Sequence, residues 1–316
     1  MDEYLQLLGL IAPVFLMIAL GLGVRRIGLF SEAAEESMLK LVVKVFYPCL
    51  IFRSVLAASS LNDSSNIWAP PVVGFLLFLV GMLVGWLFAR IVGYTKGAGL
   101  RTFCFSIGVF NYGYIPIPLT EGLYGNEVLA ILFVFNVGLE FGIWTIGVSY
   151  LSGASAKEGL KKALNPAVVA LSAAVIINQL EWTEIIPQFF LVTIDGFAAC
   201  AIPIGLLVIG ATFNEFLSGK DRIFEWKTSA SSVLLRLGLI PVIMLVLAMY
   251  LPLSDELKKV IVIQSAMPAG IMPIALAKHY NGQPIVAFRI VVATTIVALV
   301  AIPLWIRIGD WLVFGN

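Results

Sequence analysis

Two segments of this 316-residue chain share the spelling G-x-x-P-I-x-L: Gly113-Tyr114-Ile115-Pro116-Ile117-Pro118-Leu119, introduced by Asn111-Tyr112, and Gly270-Ile271-Met272-Pro273-Ile274-Ala275-Leu276, introduced by Pro268-Ala269. Each lies midway along an apolar run of the length, about 20 residues, that crosses a bilayer. An ordinary helix cannot continue through a Gly and a Pro so spaced, because proline lacks the N–H and its ring collides with the carbonyl one turn back. Two broken membrane helices are therefore predicted. A shift of 157 positions lays Gly113 on Gly270, Pro116 on Pro273, Leu119 on Leu276 and Gly125 on Gly282. That is the register of an internal duplication, and it points to a binding site between the breaks.

With 60% hydrophobic and 12% charged residues and a mean hydropathy of +1.00, the chain reads as an all-α integral membrane protein. Its long apolar runs are helical spans rather than the alternating segments of an outer-membrane barrel. Spans are predicted at about 4–24, 34–57, 70–93, 99–124, 126–150, 165–181, 187–213, 229–251, 256–279 and 285–308, about ten helices. Residues 1–151 form a first five-helix repeat, 152–164 a cytoplasmic linker and 165–316 a second repeat. Asp2 and Glu3 stand where a cleavable signal would carry positive charge, so the first helix is expected to stay.

Orientation follows from the basic residues at span ends. One set of alternate loops carries Arg25, Arg26, Arg90, Lys96, Arg101, Lys157, Lys161, Lys162, Lys220, Arg222, Lys227 and Lys278, the other only Lys258, Lys259 and Arg307. By the positive-inside rule the first set is cytoplasmic and both termini face outside a cell (inner or plasma) membrane. An odd number of helices per half makes the second half insert upside down, giving a 5+5 inverted repeat with two broken, crossing helices, the fourth and the ninth. The mid-span prolines Pro48 and Pro203, in helices 2 and 7, echo the same repetition.

Half-helix N-termini at the breaks would present unpaired N–H groups and about half a positive charge, which suits an anion such as a carboxylate. Substrate-binding candidates are Asn111, Tyr112, Gly113 and Pro116 at the first break and Gln264, Ser265, Pro268, Gly270 and Pro273 at the second. Asn111 is read as a substrate contact, whereas Gln264 and Ser265 are equally compatible with interhelical hydrogen bonding. Glu140, with Asn136 one turn earlier on the same face, is the ion-coupling candidate, for a proton or a sodium ion. Its alternative is a protonated packing residue between Gly138 and Gly142. Lys40, Lys44, Arg53, Asp195 and Arg236 are placed near membrane faces, within snorkelling reach. Arg289 stays open as an attractor of anions, and His279 is an interfacial residue at the cytoplasmic end of helix 9. Gly81 and Gly85 mark close helix packing, and Cys49, Cys104 and Cys200 are small buried hydrophobes.

The repeated motif, the prolines of helices 2 and 7 and the ten-span layout together resemble the auxin efflux carrier family, which holds the plant PIN-FORMED carriers and short prokaryotic permeases. The resemblance covers essentially the whole chain, and its specific part is Asn111-x-Gly113-x-x-Pro116 with Pro268-x-Gly270-x-x-Pro273. It implies a fold like that of the bile acid sodium symporters: a scaffold of helices 1, 2, 6 and 7 and a transport domain of helices 3–5 and 8–10. It also implies elevator-type movement of organic anions and a homodimer through the scaffold. Helix 3, Pro70 to Arg90, has none of the acidic residues that plant carriers place near their site. The chain lacks their long mid-chain loop too, so its size looks like that of bacterial carriers of malate, malonate and similar carboxylates.

The expected function is secondary active transport of a small organic anion, a mono- or dicarboxylate or an auxin-like acid. No enzyme motif, metal-ligand spacing, nucleic-acid signature or ATP-binding loop supports another class, so no cofactor is expected beyond a coupling proton or sodium ion. The alternative is a membrane receptor that binds its ligand without moving it, for which a signalling domain would be expected.

Overall fold

The computed structural model describes residues 2–152, 165–217 and 225–315. The expected linker beyond Ser152 lies outside the described residues, as do Lys157, Lys161, Lys162, Lys220 and Arg222. Helix α1 is Asp2–Arg26, with Arg25 and Arg26 in its last turn, where cations complement the negative end of the dipole. Helix α2 (Glu32–Leu41) starts at Ser31, whose hydroxyl accepts from the N–H of Ala34 at 3.2 Å. A π-helical turn, Val42–Phe46, carries it into α3 (Tyr47–Leu56). Helix α4 is Ser65–Val92 and α5 is Ala98–Gly108. Helix α6 (Pro116–Gly142) continues through a π turn, Ile143–Gly147, into α7 (Val148–Ser152).

The second half begins with α8 (Pro166–Gln179) and α9 (Gln188–Leu217). Helix α10 (Trp226–Leu234) passes through a third π turn, Leu235–Leu239, into α11 (Ile240–Tyr250). Helices α12 (Asp255–Ser265), α13 (Met272–His279) and α14 (Pro284–Phe314) complete the chain. Two of the widened turns lie just upstream of a proline, Pro48 and Pro241, whose missing N–H has to be accommodated in the ladder. Among the described residues the only β pairing is one isolated bridge, Phe110 with Ala269.

Six of the described stretches are long and apolar enough to cross a membrane: Leu7–Arg26, Ser65–Val92, Pro116–Ser152, Gln188–Asn214, Trp226–Tyr250 and Pro284–Phe314. The two runs expected to be broken are broken. One stops at Gly108 and resumes at Pro116; the other stops at Ser265 and resumes at Met272. In α6 the backbone leaves the helical region at Gly125, with φ of 78°, a value that a residue without Cβ adopts at no steric cost. Gly282, its counterpart under the 157-position shift, sits between α13 and α14.

The chain forms two compact units. Residues 1–68, 117–134 and 164–219 make the first, in which α1 lies along α9 and α3 packs against α8 and α9. Its loop ends are tied by side chains that take up free backbone groups. Asn178 donates to the carbonyls of Leu56 (2.9 Å) and Ala58 (3.2 Å), and the Glu127 carboxylate accepts from the N–H groups of Ser59 (3.2 Å) and Ser60 (2.7 Å).

Residues 69–116, 135–163 and 220–316 make the second unit. There α14 packs on α5, α10, α12 and α13. The far end of α6 lies so close to α4 that a Cβ on Gly138 would overlap the carbonyl oxygen of Pro71, and one on Gly142 would stand 2.7 Å from the Phe78 ring. Trp305 donates from Nε1 to the Leu237 carbonyl at 2.7 Å, taking up an acceptor within the π turn.

Candidate functional site

Every site residue predicted from the sequence falls in the second unit. The two breaks meet there as a short antiparallel pair. The N–H of Asn111 donates to the carbonyl of Pro268 at 2.8 Å, the N–H of Gly270 donates to the carbonyl of Val109 at 2.8 Å, and Phe110 bridges Ala269. Main chain taken out of a helix inside a membrane needs partners, since lipid offers none. Each break supplies them to the other, and Thr294 of α14 adds one by accepting from the N–H of Ala269 at 3.1 Å. Gly270 is required by this approach, because a Cβ there would lie 2.8 Å from the Phe110 oxygen.

The ends of the half-helices differ in how they are capped. Helix α12 opens on Ser254, whose hydroxyl accepts from Leu257 N–H at 3.3 Å, with Asp255 and Glu256 in its first turn. Helix α13 opens at Met272 and Pro273 with no side-chain cap. Helix α6 likewise opens on Pro116 without a cap at its N-terminal residue, though Asn111 Oδ1 accepts a long 3.4 Å bond from Ile115 N–H. Unsatisfied N–H groups at such ends are an anion's natural partners.

Helix α6 brings its polar face to the first break. Asn136 donates from Nδ2 to the Tyr112 carbonyl at 2.8 Å, and the Tyr112 hydroxyl reaches Glu140 Oε1 at 3.5 Å and Met272 Sδ at 3.7 Å. Tyr112 thus ties the coupling candidates, Asn136 and Glu140, to both breaks. Asn136 Oδ1 is buried without a hydrogen-bond partner, and so are both amide ends of Gln264, whose exposure is 0%. A buried amide without partners is costly, about 1–3 kcal/mol. Ser265 does not share that character: its hydroxyl donates to the Val262 carbonyl at 2.7 Å, one turn back in its own helix.

Arg236 corrects the sequence-based placement. Expected within snorkelling reach of a membrane face, it is instead 1% exposed and the largest fully buried side chain described. Its Nε donates to the Met267 carbonyl and its Nη2 to the Gln264 carbonyl, both at 2.9 Å, and its guanidinium lies 4.7 Å from the centre of the Phe110 ring. A central arginine costs a membrane helix about 2.5–3.5 kcal/mol. Hydrogen bonds to a charged group contribute about 1.5–3 kcal/mol each and a desolvated cation–π contact about 2 kcal/mol, so the arrangement offsets the cost. Depth was the signal that could have found it: ten residues past Trp226, at about 1.5 Å each, is about 15 Å in, the middle of a core about 30 Å thick. Phe110 and Thr294 carried no such signal, since an apolar ring and a hydroxyl are ordinary in membrane helices.

The remaining charged and thiol residues lie apart from the crossing. Lys40, Lys44 and Asp195 are exposed, Arg53 pairs with Glu121 at 3.3 Å, and His279 ends α13 exposed, edge-on to Tyr280. Cys104 is buried as expected, whereas Cys49 and Cys200 are half-buried. Arg289 lies in the field of Glu225, which caps α10 by accepting from the N–H groups of Lys227 (3.2 Å) and Thr228 (2.9 Å) and from the Thr228 hydroxyl. That hydroxyl also meets Tyr94 Oη at 2.9 Å. Burial works against the charge on Glu225, but these hydrogen bonds and Arg289 outweigh it and hold its carboxyl below the usual range.

Comparison with known proteins shows the family. The family model described as "Membrane transport protein" matches residues 7–160 and 152–306. An uncharacterized transporter of Methanothermobacter thermautotrophicus is 24% identical over 303 residues, 93% of this chain and 96% of the relative. The uncharacterized transporter YfdV of Escherichia coli is 22% identical over 96% of this chain and 97% of its own length. Protein PIN-LIKES 5 of Arabidopsis thaliana is 33% identical over 137 residues, 42% of this chain and 32% of the plant protein.

Proposed function

Since the chain belongs to the membrane transport protein family, that of the auxin efflux carriers its motifs resemble, we propose that this multi-pass membrane protein is a secondary transporter of a small organic anion. The anion is a mono- or dicarboxylate or an auxin-like acid. The observation that carries this reading is the crossing: two interrupted helices paired through Asn111 and Pro268, with half-helix starts at Pro116 and Met272 that carry no side-chain cap, and a buried, unpartnered amide at Gln264 in the helix before the second break. N–H groups and an amide, without a fixed acid at the helix starts, favour a carboxylate.

The finer architecture belongs to the same proposal. Ten spans form a 5+5 inverted repeat, supported by the helix ends at Gly108 and Ser265, which are 157 positions apart, as are Asn111 and Pro268. Both termini face outside a cell membrane. Transport is a rigid-body shift, by the elevator mode, of a transport domain made of the third to fifth and eighth to tenth spans, in a homodimer joined through a scaffold of the first, second, sixth and seventh. Coupling to a proton or a sodium ion runs through Glu140 and Asn136, whose link to Tyr112 lets ion occupancy bias the substrate site.

The test is uptake of labelled malate, malonate and indole acetate into proteoliposomes, preceded by a thermal-shift screen of the same acids, since a ligand of the folded state raises its apparent stability. Saturable uptake of one acid supports the proposal. Binding without flux for every acid that binds would refute it in favour of a receptor.

A further inference from the structure

The C-terminal end of a helix interrupted inside a membrane collects unsatisfied carbonyls and about half a negative charge. In broken-helix transporters such carbonyls are where a coupling cation is coordinated. Helix α12 ends at Ser265, and the carbonyls of Gln264 and Met267 that flank its end both accept from one side chain, Arg236, at 2.9 Å each, the first of them also accepting from the N–H of Met267 at 3.3 Å. The guanidinium arrives from the π turn Leu235–Leu239 and lies over Phe110, the residue of the opposite break that bridges Ala269. One buried cation therefore touches both strands of the crossing, and among the described residues no acid forms a salt bridge with it.

We propose that Arg236 is a built-in cation of the crossing: its guanidinium fills the seat at the end of α12 that an inorganic cation would otherwise take, so no sodium ion is required there. The inference deepens the transporter reading, but the seat is defined by geometry alone. Arginine suits the position better than lysine. Its planar fork reaches two carbonyls at once, its weak hydration lowers the cost of burial, and its face stacks on an aromatic ring. A tethered cation cannot leave with the substrate, so the crossing keeps its positive charge through the whole cycle and any gradient coupling must use another group. The half-helix starts that would receive a carboxylate are thereby kept in a constant field. Arg236 is a positioning residue in this scheme, acting on the substrate through the main chain of residues 264–270.

The test uses purified full-length protein in detergent, melted in chloride salts of sodium, choline or guanidinium at equal millimolar concentration, far below denaturing levels. The wild type is expected to melt at the same temperature in sodium and choline. Arg236→Ala, and Arg236→Met, which keeps the aliphatic stem, are expected to melt lower by about 5 °C or more. Guanidinium, and to a lesser degree sodium, should raise their melting temperatures while choline does not, because a small cation re-enters the vacated seat. Stabilisation of the wild type by sodium over choline that is lost in the two variants would overturn the proposal. So would failure of both variants to recover in any of the three salts, folded or not. Because the readout is stability, it stands even if no tested acid is transported.

Discussion

The N–H of Asn111 donates at 2.8 Å to the carbonyl of Pro268, a residue 157 positions away, and the same interval separates Gly113 from Gly270. Each break thus pairs at its centre with its own counterpart under the 157-position shift. The pairing is one-sided by chemistry: Pro268 has no N–H to return the bond. Additional closure comes from Gly270 donating to Val109 at 2.8 Å.

Asn111→Ala separates the two roles of that residue. The donor to Pro268 is main chain and survives, and only the 3.4 Å side-chain bond to Ile115 is lost, so stability should change by less than about 1 kcal/mol. Uptake of the transported acid should fall at least about tenfold, equivalent to about 1.4 kcal/mol. Asn111→Pro deletes the donor itself and should lower the melting temperature markedly. Parallel uptake and melting curves check both, and normal uptake by Asn111→Ala removes it from the site.

Glu140→Gln should abolish the dependence of uptake on the ion gradient while leaving substrate-induced thermal stabilisation, because the carboxylate is tied to Tyr112 rather than to a helix start. Tyr112→Phe should weaken the same dependence by removing the 3.5 Å link without unfolding the protein. Uptake in proteoliposomes with imposed pH or sodium gradients reads both. Unchanged pH and sodium dependence in Glu140→Gln excludes this coupling role.

Gly138→Val should destabilise the protein by about 1–3 kcal/mol, the usual cost of overpacking, since the added carbons meet the Pro71 carbonyl. Gly196→Ala in α9 is the control. Nothing lies within 4 Å of a Cβ there, and replacing a helical glycine should gain about 0.5–1 kcal/mol. Thermal melting of both in one detergent compares them directly.

Glu225 predicts an acid limb of stability. Its carboxyl is held below the ordinary Glu value in the folded protein, so the unfolded chain binds the proton more readily. The stabilisation is then fully present above the ordinary value and is lost as pH falls through the lowered folded value. Glu225→Ala should flatten this limb and remove an N-cap worth about 1 kcal/mol. Melting temperatures of the two proteins across the acid range decide it; parallel curves would show that Glu225 contributes nothing to the pH dependence.

Much of the helical layout was legible in the sequence because the signals are local. Apolar runs set where helices can cross, and the prolines at 116 and 273 set where two of them stop, since the loss of an N–H and the clash one turn back act within a few residues. Asn111, Gly270 and Glu140 stood out for the same reason: an amide, a glycine or an acid in the middle of an apolar run is costly unless used. Tertiary structure alone decided what those groups meet. The pairing of Asn111 with Pro268, the Tyr112 link to Glu140 and the burial of Arg236 against two carbonyls and Phe110 all join residues between about 20 and 160 positions apart. Burial and hydrogen-bond satisfaction depend on which faces pack together, and no pattern of spacing along one helix carries that information.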